Sequence, residues 1–151
     1  MSSPRAFLLL LVLLAALRPA HAAAEVFGRW TTPGVSAVVE LTPCSDGVTL
    51  CGTIRWLWDA LDERGRPRLD VQNADASLRS RTLVGVTILS GLKADPAGGW
   101  QGRIYNPEDG QTYRATVKQR GADTLVVEGC VLIACSKQVW RKASSVAEAL
   151  R

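Results

Sequence analysis

The sequence predicts an all-β domain, a single antiparallel up-and-down barrel of about eight strands. Three observations carry this. Short runs alternate between apolar and polar residues, with Gly, Pro, Asn and Asp between them. No long stretch of the domain repeats with helical period. Most connections are brief, as in an antiparallel meander, and a sheet closed on itself leaves no free edges.

The elements follow in order. Residues 1–22 read as a secretory leader: Arg5 supplies positive charge, Phe7 to Leu17 is an unbroken apolar run, Pro19 breaks it, and Ala20-His21-Ala22 offers a small-x-small cleavage site. Cleavage after Ala24 fits the same pattern. The run is shorter than the about 20 apolar residues a membrane span needs. The barrel domain is expected over residues 23–143 and a short tail over 144–151. The first strand is expected at Val26 to Thr31, ended by Pro33-Gly34. The second is Val35 to Thr42, with Ala37, Val39 and Leu41 on one face. After the Asp46-Gly47 turn comes Leu50 to Trp58, with Ile54, Trp56 and Trp58 on one face and Arg55 on the other. A long polar connection, Asp59 to Arg81, reads as a lid or binding loop, because unstructured connections of that length in compact domains usually carry function. Five further strands are expected at Leu83–Ser90, Trp100–Tyr105, Gln111–Gln119, Thr124–Cys130 and Cys135–Lys142. A strong turn, Asn106 to Gly110, sits between the second and third of these.

Removing the leader takes away the only His and the only Met and lowers the formal charge from +4 to +2. Without His, Ser-His-Asp and Cys-His catalysis and His-ligated catalytic zinc are excluded. No Gly-rich phosphate loop or GxSxG elbow is present. The Lys and Arg residues are scattered, which is no footprint of a nucleic-acid binder. A function without enzymatic chemistry, cofactor or metal is expected.

Four cysteines remain, Cys44, Cys51, Cys130 and Cys135. In an exported chain an even count suggests disulfides. Four cysteines allow three pairings. In an up-and-down barrel the loop between strands two and three lies at the opposite end from the loop between seven and eight, so the expected pairs are Cys44–Cys51 and Cys130–Cys135. Each would stabilise by roughly 2–2.5 kcal/mol in the chain-entropy model. A four-cysteine zinc site is the rival, but six intervening residues in the first pair exceed the usual spacing.

Several motifs together resemble a known family. They are Gly28-Arg29-Trp30, Leu50 to Ile54 followed by Trp56-Leu57, Gly65-Arg66-Pro67 with Asp70 to Asp75, and Leu83-Val84-Gly85. Trp100 to Pro107 with Gly110 to Tyr113 is the most distinctive, and Leu125 to Cys130 and Trp140-Arg141 close the series. In this order they resemble the exported bacterial proteins grouped as domain of unknown function 2147. The resemblance implies a lipocalin-like barrel, periplasmic or secreted, with no established reaction. One departure is Ala74, where the family tends to carry Pro; Asp70, Asn73 and Asp75 are kept. Lipocalin-like barrels also carry a Gly-x-Trp near the first strand and a basic residue near the last, which implies a plug of Gly28, Trp30 and Arg141 at one barrel end.

The candidate functional residues are aromatic. Trp56, Trp58, Trp100, Tyr105 and Tyr113 are expected to line a cavity, with Arg103 as an anion anchor if it points inward. Asp70, Asn73 and Asp75 are expected to cap turns in the lid. The expected partner is a small, partly apolar ligand, with no membrane embedding once the leader is removed. The alternative is an envelope interaction module whose barrel holds no ligand.

Overall fold

The computed structural model describes residues 26–144. The leader reading of residues 1–22 and all of the expected tail beyond Ser144 lie outside the described residues. Eight strands follow in chain order: β1 Gly28–Thr31, β2 Ala37–Pro43, β3 Leu50–Leu57, β4 Thr87–Ala94, β5 Trp100–Asn106, β6 Gln111–Gln119, β7 Thr124–Val131 and β8 Ala134–Lys142. Each pairs antiparallel with its neighbour in sequence, and β8 returns to β1 to close the barrel.

Alternate strands run in opposite directions, so the loops fall into two sets. One end, termed the closed end, carries the chain entry at Val26 and the β2–β3, β4–β5 and β6–β7 loops. The other, the open end, carries the β1–β2 turn, the long β3–β4 connection, the β5–β6 turn and the β7–β8 hairpin. Large inward side chains crowd the closed end: Trp30, Leu41, Leu89, Leu92, Val117 and Leu125 are fully buried. Gly52 lets β3 lie against them, since a Cβ there would sit 3.0 Å from both Leu41 and Leu89.

The two disulfides are Cys44–Cys51 and Cys130–Cys135, as the barrel topology required. The first braces the β2–β3 loop at the closed end. The second ties β7 to β8 beside the open-end hairpin.

Two strand assignments differ from expectation by more than a residue or two at their ends. The fourth strand begins at Thr87 and ends at Ala94, not Leu83 to Ser90. Residues 83–86 instead form a turn through Gly85 (φ 101°), with Gly85 N–H donating to Ile54 O and Val86 N–H to Leu83 O. In β3, Val38 pairs with Trp56 and Val39 with Ile54, which leaves Arg55 as the extra residue of a bulge. Inward Ile54 is therefore followed by inward Leu57, and Trp56 and Trp58 turn outward instead of sharing the Ile54 face.

The barrel plug is built from a different cation than expected. Trp30 is fully buried and donates its indole N–H to Val26 O at 2.8 Å. Lys142, not Arg141, caps the ring, its Nζ lying 4.4 Å from the ring centroid and donating to Phe27 O at 2.7 Å. The register explains the swap: Trp30 pairs with Lys142 and shares its face, whereas Arg141 pairs with Thr31 and faces outward, donating to Thr124 Oγ1 at 2.6 Å. Gly28, at φ 104°, fits the tight entry beside Lys142. Lys142→Met is therefore expected to cost about 1–2 kcal/mol of unfolding free energy in urea titration, and Arg141→Met under about 0.5 kcal/mol. Equal losses would mean that the plug is not organised around Lys142.

Candidate functional site

The barrel interior changes character toward the open end. There the inward positions are small or short, including Ala37, Gly129, Ala134 and Ser136, and they leave a cavity of about 700 Å³. Its wall is aliphatic and aromatic: Ile54 and Leu57 from β3, Ile88 from β4, Ile104 from β5, Val127 from β7 and Trp140 from β8. Among the described residues the sole charged group on its lining is Glu108, on the β5–β6 turn. Polar contacts come from Gln138, which accepts from the Trp140 indole N–H at 2.9 Å, and from Tyr113, which donates to Asp109 at 2.6 Å. That bond to an acceptor carboxylate raises the Tyr113 pKa above its ordinary value.

The β3–β4 connection is not a loose lid. It is held to the barrel by a carboxylate, Asp70, that is fully buried. Tyr105 donates to Asp70 Oδ1 at 2.5 Å. Asn73 Nδ2 donates to Oδ2 at 2.8 Å, and Arg81 donates to it from Nε at 2.9 Å and forms an ion pair at 2.7 Å. Asp70 N–H also donates to Arg81 O. Burial works to raise the Asp70 pKa, but the bonds from Tyr105, Asn73 and Arg81, with the Arg81 charge, outweigh it and hold the carboxyl below its ordinary value. Burial, then the bond to Asp70, raises the pKa of Tyr105. A second contact seats the connection on the β5–β6 turn: at Gly110 (φ 70°) a Cβ would lie 1.8 Å from Gln72 O, so glycine alone fits without displacing the loop. Asp75 caps the 3-10 turn Ala76–Leu78 by accepting from Ser77 N–H, in line with its expected role.

The structure divides the expected ligand residues. Tyr105 and Tyr113 border the cavity. Trp56 and Trp58 do not: the Arg55 bulge turns them out, 41% and 76% exposed, where they meet edge to face. Trp100 packs against the core at the closed end, where β5 begins. Arg103 alternates outward with Gln101 and is exposed, so it is no cavity anchor. The residues that do shape the cavity were legible in part. Ile54, Ile104, Val127 and Trp140 follow strand alternation, whereas Leu57 depends on the bulge. One grouping of metal-ligating residue types occurs among the described residues, Glu128 with Cys130 and Cys135; its two sulfurs are committed to a disulfide.

The model of a family described as DUF2147, an uncharacterized protein conserved in bacteria, matches residues 28–142. No curated protein matches the chain. Among solved structures, Helicobacter pylori protein HP1028, described as belonging to the lipocalin family, matches with a TM-score of 0.66 at 20% identity, covering 80% of this chain and 86% of that one. At that identity the likeness is one of fold, and the barrel is lipocalin-like.

The Asp70 clamp predicts a pH signature. Its folded pKa is depressed, so its contribution is present above the unfolded value, about 3.9, and is lost as pH falls through the folded value. Asp70→Asn is expected to lower stability at pH 7 by about 2–4 kcal/mol. In denaturant titrations the gap to the native chain should narrow as pH falls below about 4. A gap independent of pH would show that the clamp does not act through its charge.

Proposed function

The chain belongs to the DUF2147 family, and from that premise we propose that it is an exported carrier that holds a small, partly apolar molecule in the open end of its barrel. The observation that carries the reading is the cavity itself. Its volume of about 700 Å³ lies within the range of about 300–1,000 Å³ usual for ligand sites. Its depth offers Ile54, Leu57, Ile88 and Trp140 to an apolar body, with Gln138 as a hydrogen-bonding group. With no cation on its wall among the described residues, the cavity suits an uncharged molecule better than a carboxylate. The clamped β3–β4 connection holds one rim of the mouth in place, so little ordering entropy is lost on binding.

Export rests on the leader-like residues 1–22, and two disulfides suit the oxidising periplasm or cell exterior. A second reading, an interaction module of the envelope, is favoured by one observation, the exposed apolar tip of the β7–β8 hairpin.

Fluorescence titration with the neutral probe N-phenyl-1-naphthylamine tests the carrier reading. Saturable binding is expected, weakened by about tenfold or more in Ser136→Trp, which places an indole in the mouth. Native mass spectrometry of protein taken from its own source should show a bound small molecule. Absence of saturable binding, or equal binding by Ser136→Trp, would overturn the cavity as the site.

A further inference from the structure

The exposed large apolar side chains are distributed unevenly along the barrel axis. Among the described residues, Val48 is exposed on the β2–β3 loop at the closed end and Val139 midway along the wall, on β8. The others gather toward the mouth: Trp56 and Trp58 at the end of β3, Leu61, Val71 and Val84 in the β3–β4 connection, and Leu132 and Ile133 at the hairpin tip. The tip is the extreme case. Leu132 is 83% exposed and Ile133 98% exposed. Leu132 also takes a φ of +53°, at a hairpin position where Gly, Asn or Asp would be less strained. An apolar side chain is therefore held projecting there at a cost in backbone strain. Just behind the tip, the Cys130–Cys135 disulfide ties its two strands together.

Two cations stand beside this tip. Arg103 and Arg114 are direct cross-strand partners on the outer face, and both are exposed. Arg114 reaches the tip itself, donating to Leu132 O at 3.1 Å. Like charges directly opposite repel, and no acid neutralises this pair among the described residues. The nearby acids are engaged elsewhere, Glu128 with Lys137 and Asp109 with Tyr113, and Glu108 stands in solvent on the β5–β6 turn.

We infer that the open end docks on an anionic lipid bilayer, with Leu132 and Ile133 inserted and Arg103 and Arg114 at the headgroup phosphates. A projecting apolar tip suits insertion into an acyl boundary, and exposed Trp58 with paired arginines suits the headgroup layer. Val131, Ala134 and Cys135, at the base of the same hairpin, line the cavity. Docking there turns the mouth toward the lipid, a direct route for an apolar cargo. The docking surface stands independently of whether the cavity is filled.

The test is flotation with vesicles, using a chain that begins at Ala23. Every strand, both disulfides and the whole buried core of the described residues lie within that chain. The native chain should float with phosphatidylglycerol–phosphatidylcholine vesicles and less with phosphatidylcholine alone, and added salt should weaken the binding. Leu132→Ser with Ile133→Ser should reduce flotation by at least about tenfold while leaving the melting temperature unchanged, because both side chains are in solvent. Arg103→Gln with Arg114→Gln should remove the preference for anionic vesicles. A native chain that stays in the aqueous fraction, or a tip variant that floats equally well, would overturn the inference. So would a tip variant that converts a dimer to a monomer in sedimentation without altering flotation; the tip would then serve a second copy of the chain.

Discussion

Barrel closure depends on two residue pairs, Trp30 with Lys142 and Thr31 with Arg141. β1 is four residues long and β8 nine, so β1 can close only the lower part of the seam. Above Thr31 the chain leaves the wall through a 3-10 turn at Pro33–Val35. The rest of the molecule follows from that short seam. Below it, inward side chains meet from all sides and the core is dense. Above it, β8 from Ala134 to Val139 pairs with β7 alone among the described residues, and the interior opens into the cavity. The buried indole of Trp30, held by Val26 O and capped by Lys142, is what makes so short a seam sufficient.

The open end is organised by polar contacts where the closed end is organised by packing. Asp70 receives three donated side-chain bonds, from Tyr105, Asn73 and Arg81 Nε, and an ion pair from Arg81 Nη2. Each partner belongs either to the long connection or to β5, so one carboxylate ties that connection to the barrel wall. A buried carboxylate is costly when unpaired, and here its bonds and the neighbouring guanidinium offset the burial. The result is a fixed rim beside an apolar cavity.

Much of the architecture was legible in the sequence, because alternation and turn residues are local signals. Val39 and Leu41, or Ala115 and Val117, reveal an inward face without tertiary information. The disulfide pairing was legible too, since topology separates the two cysteine pairs. What was hidden depends on register. The bulge at Arg55 leaves no local mark, yet it turns Trp56 and Trp58 from the expected cavity wall to the outer surface. The choice of Lys142 over Arg141 is a shift of one residue, decided by how β8 meets β1. Asp70 read as one turn-capping acid among several, because its bond to Tyr105 spans 35 residues. The exposed Leu132-Ile133 pair fell in the connection between two expected strands, where local pattern does not tell a buried turn from a projecting one.

The barrel is sealed at one end and unsealed at the other along a single strand. Amide hydrogen exchange along β8, resolved by residue, tests this most directly. Strong protection is expected at Arg141 and Lys142, where β1 and the closed-end core cover the strand, and rapid exchange at alternate amides between Ala134 and Val139, whose N–H groups turn away from β7. Uniform strong protection from Ala134 to Lys142 in the ligand-free protein would contradict it, because the seam would then be closed along its whole length.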